Sequence, residues 1–368
     1  MSKIAVLGAA GHLGRIISAE LARLAPEHEL VLAGRDVAAL SDLAEQIGPA
    51  KAVRVDVNDR DAAVSALERE HADVIVNCTT LLLFAEAFEI ASRLGANYTD
   101  LGSALNASQD QQARAAGIAA VPGLGLTPGL SNVLVRHAAD SMDVIEEVEI
   151  LFVLHRAIAS THAVLNTTIW GFSEQTDGRG YFSNGRFRPV PPGDGSRTVE
   201  FPPPFGRVVT SLRPHPEARD LPQSFKTLRH CAVRAAYPTE IENDMRVLNK
   251  YGLLHPDFVE TARAAIWRSF GGKTLGRLEG TGAFRLEVVG VLDGRRSLRR
   301  YSVGVPKEGL YAYSGYCAAV GALLLARHGA ATTGVLPPER YFDPTEYLAE
   351  LDQQAIATVE WEDSPIEA

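Results

Sequence analysis

Cysteine is scarce in this sequence. The 368 residues include three cysteines, and Cys78, Cys231 and Cys317 lie far apart along the chain. That number and spacing argue against a disulfide-stapled secreted scaffold and form no metal-ligand pattern. The first apolar segment begins at residue 4, which leaves no room for a signal peptide. We therefore expect a cytoplasmic protein without a bound metal.

Long apolar runs and long basic runs are also missing. The longest apolar stretch, residues 317–326, is too short to span a bilayer and is typical of a packed helix. The net charge is -9, and no basic run offers the footprint of a nucleic-acid-binding surface. We expect neither a membrane nor a nucleic acid as a partner.

Three common enzyme signatures are absent as well. The chain has no Gly-x-Ser-x-Gly elbow, no His-Glu-x-x-His helix and no phosphate loop ending in Gly-Lys-Ser/Thr. Hydrolase, zinc-protease and nucleoside-triphosphatase functions therefore lack support.

A glycine-rich turn between an apolar strand and a helix is the first positive signal. Residues 4–7 predict a buried parallel strand, and Gly8, Gly11 and Gly14 follow at a spacing one residue wider than the commonest dinucleotide fingerprint. A helical pattern and a second short strand at residues 30–32 come next. Glycines admit phosphate oxygens close to the backbone, and the helix start offers N–H groups and its positive dipole end. This order predicts a site for a dinucleotide pyrophosphate.

Arg35 and Asp36 follow the second strand and bear on the choice of cofactor. An acidic residue there binds the ribose 2′-hydroxyl of NAD, whereas an arginine suits the 2′-phosphate of NADP. Because Arg35 comes first, we favour NADP, with NAD possible. A solvated loop charge is the alternative explanation of Arg35.

Strands and helices continue to alternate as far as residue 123, which predicts a Rossmann-type doubly wound parallel sheet. Ligands of such sheets bind beyond the carboxyl ends of the strands. The candidate cofactor-binding residues therefore follow predicted strands: Gly8, Ala10, Gly11, His12, Leu13, Gly34, Arg35, Asp36, Asp56, Val57, Cys78, Thr79, Thr80 and Gly102.

The pattern changes from about residue 145. Strands are predicted at 148–154, 231–236, 284–291 and 299–305, and Asp293-Gly294 between the last two is a hairpin signal. Residues 177–216 read as turns and short strands, and the last eight residues as an acidic tail. These features predict a second, α+β domain with an antiparallel or mixed sheet.

Three stretches give the chain a family resemblance. They are the glycine turn at 8–14, the segment PGLGLTPGLSN at 122–132, and GVLPPE at 334–339 followed by Asp343-Pro344. With these stretches the chain resembles the saccharopine dehydrogenase-like reductases, which include lysine 6-dehydrogenase and carboxynorspermidine-forming enzymes.

The resemblance implies a dinucleotide-binding domain at 1–128, a substrate and dimerisation domain at 129–310, and a C-terminal segment, 311–368, that returns to the first domain. It also implies a homodimer and hydride transfer at a carbon–nitrogen bond of an amino-acid-like small molecule. Saccharopine-forming members commonly carry an aspartate where this chain has Thr127, which leaves the substrate open.

Hydride transfer to an iminium needs a group that manages a proton and partners for the substrate's carboxylates. His155 follows a strong strand and is the proton-handling candidate, together with Asp100 at another strand end. A capping or interface role remains the alternative for each. The substrate-binding candidates, any of which can instead be a structural or surface group, are Arg156, His162, Thr127 and Arg234.

Two other functions stay open. An enoyl or carbonyl reductase of a lipid or polyketide-type pathway is one, since saccharopine-like proteins include such enzymes. A non-catalytic NADP-binding sensor is the other, and a pocket filled by side chains beside the nicotinamide would support it.

Overall fold

The computed structural model describes residues 2–102, 105–155, 157–159, 161–273, 281–303, 309–353 and 359–366. The chain divides into two compact units. The first comprises Met1–Arg136 and Tyr311–Ile356, and the second comprises His137–Leu310 and Ala357–Ala368. This division differs from the sequence-based one at two places: the first boundary falls at 136/137, and the last residues join the second unit.

Elements are numbered in chain order. The described strands are β1 Lys3–Leu7, β2 Glu29–Gly34, β3 Ala50–Arg54, β4 Val74–Asn77, β5 Asn97–Asp100, β6 Ala119–Val121, β7 Val144–Leu154, β8 Gly180–Ser183, β9 Arg186–Pro189, β10 Arg197–Phe201, β11 Gly206–Leu212, β12 His230–Ala236, β13 Gly282–Leu292, β14 Arg295–Val303, β15 Gly334–Val335 and β16 Val359–Pro365. The described helices are α1 His12–Leu24, α2 Val37–Ile47, α3 Arg60–Glu68, α4 Phe84–Leu94, α5 Ala107–Ala116, α6 Leu130–Ser141, α7 His162–Phe172, α8 Glu217–Ser224, α9 Thr239–Lys250, α10 Val259–Phe270, α11 Leu310–His328, α12 Pro338–Tyr341 and α13 Pro344–Gln353, with a short 3-10 helix at Leu81–Leu83.

The sheet of the first unit is parallel throughout its described strands. Its order is β15-β6-β5-β4-β1-β2-β3, and each neighbouring pair runs in the same direction. Residues 4–7 of β1 are fully buried, as a central strand covered on both faces requires. The order reverses between β1 and β4, which is where doubly wound sheets bind their ligands. The predicted Rossmann-type fold is confirmed.

The second unit contains a mixed sheet, which confirms the predicted α+β domain. Its strand order is β10-β11-β12-β7-β13-β14-β16, with β8 also paired to β12 and β9 to β8. Within this sheet β12 runs parallel to β7, and β7, β13, β14 and β16 alternate in direction. Asp293 and Gly294 both have positive φ, 51° and 72°, and close the predicted hairpin between β13 and β14.

Helices α7, α9 and α10 pack together. Of these, the sequence pattern predicted α7 but neither α9 nor α10. The three helices share a buried apolar cluster that includes Leu165, Phe172, Met245 and Ile266. The predicted acidic tail is also structured, because β16 pairs along β14 from Val303↔Val359 to Ser297↔Pro365.

Among the described residues, no helix has both the length and the apolar character that crossing a bilayer requires. No group of three or more His, Cys, Asp and Glu side chains within that part of the chain is arranged to hold a metal ion.

Candidate functional site: the carboxyl edge of the parallel sheet

Gly8 brings together the loops that follow the two strands at the reversal point. Its φ of +77° lies in the left-handed region, and its N–H donates to the Ala33 carbonyl at 2.8 Å. A Cβ on Gly8 would lie 3.0 Å from the Cys78 carbonyl oxygen. The turn after β1 and the Cys78-Thr79 loop after β4, both of which carry candidate cofactor-binding residues, are therefore in contact.

Gly14 and Gly11 have different physical reasons to be glycine. Gly14 is buried, and a Cβ there would lie 2.3 Å from the Gly8 carbonyl oxygen and 2.8 Å from Ala9 Cα. Gly11 is exposed, and a Cβ there would meet only the Gly8 carbonyl oxygen, at 3.1 Å. Gly14 thus allows α1 to pack on the turn, whereas Gly11 leaves a cradle open in front of α1.

This cradle fits a dinucleotide pyrophosphate. Gly11 caps α1 and has no side chain to satisfy the first N–H groups of that helix. The N–H groups of His12 and Leu13 have no acceptor within the helix, and they add the positive dipole end to the site. Ala10 is half-buried beside them, and its carbonyl accepts from Arg15 Nε at 3.0 Å.

The ends of β2 and β3 carry two arginines. Arg35 follows β2 and Arg54 ends β3, both exposed, and Arg54 is in register with Gly34. Both guanidinium groups help to lower the pKa of Asp56, after the stronger effect of the hydrogen bonds from Asn58. Two cations therefore lie near one carboxylate at this corner. Arg54 was not among the sequence candidates, although its place at a strand end next to Asp56 was a usable signal.

The side chain of Asp36 interacts with the helix that follows it. It caps α2, and its Oδ1 accepts a hydrogen bond from the Ala39 N–H at 3.1 Å. Asp56 Oδ1 accepts from the N–H and side-chain amide of Asn58, at 3.0 and 2.9 Å, and Val57 beside it is buried. Arg35 is thus the side chain after β2 that is not used as a cap.

Thr79 and Thr80 form the loop after β4. Thr79 donates through both its N–H and its hydroxyl to Asn77 Oδ1, at 3.1 and 2.6 Å. Thr80 precedes the 3-10 helix and accepts from the Leu83 N–H at 2.9 Å. Burial, with a smaller contribution from Asp100, raises the pKa of the Cys78 thiol. Cys78 is consequently a neutral thiol at physiological pH.

Asp100 is buried in a hydrogen-bonded network at the ends of β4 and β5. Only 1% of its surface is exposed. Its Oδ1 accepts from the N–H groups of Gly102 and Gly123, at 2.9 and 3.0 Å, and its Oδ2 accepts from the Tyr98 hydroxyl at 3.0 Å. Burial and the Asp100 carboxylate raise the pKa of Tyr98 well above its usual value. The geometry favours the turn-capping role of Asp100, and Gly102 belongs to that capped turn.

Two of the stretches that carry the family resemblance meet in a buried hydrogen bond. Asn132 Nδ2 donates to Glu339 Oε2 at 2.9 Å, and Asn132 Oδ1 accepts from the Gly129 N–H at 3.0 Å. Glu339 is 1% exposed. This contact ties α12 to the loop at 122–129, in which Thr127 is half-buried. Asn132 and Glu339 thus position the loop.

The start of α11 packs against α1, the helix that follows the glycine-rich turn. A Cβ on Gly315 would lie 2.5 Å from Ile16 Cγ2 of α1, and the ring of exposed His12 makes an edge contact with Tyr311, 5.8 Å between centroids. The segment at 311–353 therefore completes the nucleotide-binding unit.

In the second unit, His155 lies directly after β7. It is half-buried, its ring packs edge-on against Phe205 at 5.3 Å, and its N–H donates to the Thr281 carbonyl at 2.8 Å. Tyr237 follows β12 at the same end of the sheet, since Ala236 is in register with Val153. His155 and Tyr237 therefore lie at the same end of the sheet.

Arg234 has a structural partner. Its Nε donates to Glu149 Oε2 at 2.9 Å, it also contacts the Gly195 carbonyl, and Glu149 Oε1 accepts from His230 Nε2 at 2.8 Å. Burial acts to raise the pKa of Glu149, but the hydrogen bonds from His230 and Arg234 outweigh it and leave the pKa lowered. Arg234 is in register with Leu151, about 13 Å along β7 before His155.

The remaining substrate candidates are not brought together. His162 is exposed at the start of α7, and its ring stacks on Trp267 of α10 at 3.5 Å. Arg156 lies outside the described residues. Of the candidates in this unit that the structure describes, His155 is the one that lies at the sheet end.

Comparison with known proteins shows which proteins this chain resembles. Residues 4–121 match the family model of the saccharopine dehydrogenase NADP-binding domain. Carboxyaminopropylagmatine dehydrogenase of Synechocystis sp. is 22% identical over 97% of this chain and 96% of its own length. The apo saccharopine dehydrogenase (L-Glu forming) of Saccharomyces cerevisiae shares the fold, with a TM-score of 0.71 at 13% identity over 99% of this chain and 100% of its own. A probable dehydrogenase from Thermotoga maritima matches 99% of this chain and 98% of its own with a TM-score of 0.50 at 10% identity.

The family model covers the strands and turns that form the cradle at Gly11, and the curated relative aligns along nearly the whole chain. The expected resemblance to saccharopine dehydrogenase-like proteins is therefore confirmed, and the matched residues include the cradle at Gly11. The chain is an NAD(P)-binding oxidoreductase that is similar to saccharopine dehydrogenases, in its nucleotide-binding domain by sequence and along nearly its whole length by fold.

Proposed function

We propose that this protein is an NADP-dependent oxidoreductase that transfers a hydride at a carbon–nitrogen bond of an amino-acid-derived substrate, by imine reduction or amine oxidation. We also propose that it works as a homodimer, as the family resemblance implies. Light scattering of the purified protein measures the second point, and a monomeric mass would contradict it.

The observation that carries the cofactor choice is the pair of arginines after β2 and β3. Arg35 and Arg54 both act on the Asp56 carboxyl, so their charges converge at the corner where the adenosine ribose binds in this fold. Guanidinium groups bind phosphate bidentately. Asp36, the carboxylate that would select the 2′-hydroxyl of NAD, caps α2 with one oxygen instead. These contacts support NADP over NAD.

The choice of a carbon–nitrogen bond rests on the relatives. The name of the Synechocystis protein gives carboxyaminopropylagmatine, an amino compound, as the molecule it dehydrogenates. The yeast protein that shares the fold acts on saccharopine and forms L-Glu. A substrate with an amino-acid moiety and an amine fits both names.

The bound cofactor would supply or accept the hydride. The chain's own residues do the rest: the cradle at Gly11 holds the pyrophosphate, Arg35 and Arg54 hold the 2′-phosphate, and the buried Asp100 fixes the turns at Gly102 and Gly123. His155 is the proposed proton carrier, because its half-buried imidazole lies directly after β7 and imidazole is a common general acid or base.

The cofactor proposal is tested with Arg35→Gln. Loss of a charge-assisted contact, about 1.5–3 kcal/mol, is expected to weaken NADPH binding tenfold to a hundredfold and to leave NADH binding nearly unchanged. Arg69→Gln is a matched control, because Arg69 is exposed at the far end of α3. Equal loss of NADH and NADPH affinity would contradict the assignment of the 2′-phosphate.

The reaction is tested by NADPH consumption with keto acids and aldehydes, each with and without amino acids or ammonia. Consumption that requires the amine supports imine reduction. Consumption with the carbonyl compound alone would instead indicate a carbonyl reductase, and consumption with an enoyl substrate an enoyl reductase. NADPH binding without any turnover across the panel would favour the sensor.

A further inference from the structure

The second unit contains an open cavity of about 590 Å³ that none of the functional candidates lines. It lies between the β8–β9 hairpin, α8 and the segment that leads into β12. Its apolar lining includes Phe182 and Leu228, and its charged lining consists of Arg219, Lys226 and Arg229. No carboxylate is among the lining residues that the structure describes.

The positive charges of these three side chains are only weakly neutralised by nearby carboxylates. Arg229 is 3.9 Å from Glu146, a long contact for a side chain that is 73% exposed. Within the part of the chain that the structure describes, neither Arg219 nor Lys226 is paired with a carboxylate. Other arginines of this unit are paired closely, as Arg234 is with Glu149 at 2.9 Å. Because the charged side chains that line the cavity are all positive, the electrostatic potential inside it is positive, although the net charge of the chain is -9.

The cavity is held in shape by local contacts. The Arg219 guanidinium lies over the Phe187 ring, 4.4 Å from its centroid. Asn184, at the tip of the hairpin, has a φ of +47°, and its N–H donates to the Arg229 carbonyl at 2.8 Å. The hairpin is therefore fixed to the strand entry that carries Arg229, and α8 supplies Arg219 from the other side.

We propose that this cavity binds a small ligand with two or more oxyanion groups on a compact apolar body. Carboxylate and phosphate oxygens match the two guanidinium groups and the ammonium group, and the volume is that of a small-molecule site. Phe182 and Leu228 would cover the apolar part of the ligand.

The site is separate from the proposed catalytic end of the same unit. Arg229 immediately precedes β12, whose last residue, Ala236, is in register with Val153 near His155. The seven residues of β12 span about 20 Å. A ligand in the cavity therefore leaves the His155 end accessible, as an effector site would.

Calorimetric titration tests the proposal at low ionic strength. Citrate probes carboxylates and inorganic phosphate probes phosphates, with wild type compared to R219Q/K226Q. The control is K250Q/R268Q, which removes one exposed lysine and one exposed arginine from α9 and α10. We expect a wild-type Kd below about 1 mM for at least one anion, a tenfold or greater weakening in R219Q/K226Q, and an unchanged control.

A loss confined to citrate would identify a polycarboxylate ligand, and a loss confined to phosphate a phosphorylated one. Failure of both anions to bind, or equal binding by R219Q/K226Q and wild type, would overturn the proposal. NADPH affinity, measured on the same proteins, is expected to stay unchanged in R219Q/K226Q. The outcome for the cavity is thus independent of the proposed oxidoreductase reaction.

Discussion

The two glycines around the start of α1 should respond differently to a single added side chain. In Gly14→Ala the new Cβ would meet the Gly8 carbonyl oxygen at 2.3 Å, so the turn or the helix must move. In Gly11→Ser the new Cβ would meet that oxygen at 3.1 Å and otherwise enter the exposed cradle. The pair therefore separates packing of the turn from access of the phosphate.

The magnitudes follow from these contacts. Overpacking costs about 1–3 kcal/mol, and the 2.3 Å contact with a backbone oxygen puts Gly14→Ala at about 2–3 kcal/mol of that range. Alanine in a helix returns up to about 1 kcal/mol, so Gly14→Ala should destabilise the fold by about 1–2 kcal/mol. Gly11 has an extended conformation, φ -71° and ψ 168°, that serine also adopts at a helix N-cap. Serine and glycine differ there by only a few tenths of a kcal/mol. Gly11→Ser should therefore leave the free energy of unfolding nearly unchanged.

In contrast to stability, NADPH affinity should be lowered by Gly11→Ser rather than by Gly14→Ala. A serine hydroxyl at Gly11 accepts from the same N–H groups of α1 that the pyrophosphate needs, and its Cβ occupies the cradle. We expect NADPH affinity to fall at least tenfold, about 1.4 kcal/mol. Urea unfolding and NADPH fluorescence titration measure the two effects on the same samples. Wild-type NADPH affinity in Gly11→Ser would refute the pyrophosphate assignment, and unchanged stability in Gly14→Ala would refute the packing argument.

Three further predictions concern a buried carboxylate, Asp100, and two half-buried groups, Arg234 and Cys78. Asp100→Ala should lower the free energy of unfolding in urea by about 2–4 kcal/mol, because two N–H donors lose their acceptor. Asp100→Asn keeps an acceptor and should keep activity. A folded but inactive Asp100→Asn would instead support the catalytic role. Arg234→Gln should cost about 1–3 kcal/mol. Because the pKa of Glu149 is lowered in the folded protein, the stabilisation from its pairing with Arg234 is present above the pKa of the unfolded chain and is lost as the pH falls. The variant should therefore unfold at a higher pH on acidification. An unchanged midpoint of acid unfolding would argue against the pairing. The raised pKa of Cys78 predicts that a thiol reagent at pH 8 labels the native chain far more slowly than the urea-unfolded chain, and rapid native labelling at Cys78 would contradict it.

The nucleotide-binding unit was predictable because its signals are local. Each strand of a parallel sheet is a short apolar run followed by a helix, so the order β1-α1-β2 is readable from residues 4–32 alone. The cradle was predictable for the same reason, since Gly8, Gly11 and Gly14 act within one turn. Asp100 was located at its strand end, but the donors to its carboxylate include Gly123, which is distant in sequence, as well as the nearby Tyr98 and Gly102.

The contacts of the second unit were not predictable because they join distant residues. Glu149 and Arg234 meet across β7 and β12, 85 positions apart, and no local pattern links them. Helix α9 buries only Ile241 and Met245, so its apolar periodicity is weak. The acidic residues of β16 read as a tail because their partners, Arg299 for Asp363 and Arg300 for Glu362, lie about sixty residues earlier.

The order in which the chain is made adds a constraint on how it folds. The first unit lacks β15 and the buried Glu339 until its second segment, from Tyr311, has been synthesised. The second unit lacks its edge strand, β16, until Pro365. A nascent chain therefore completes the first unit only after the segment from Tyr311 has been made, and the second only after β16 has been made, although domains commonly fold on the ribosome from the N-terminus. Both units must wait for the final sixty or so residues, so incomplete translation products will expose an unfinished sheet edge in each unit and should be substrates for chaperones and proteases.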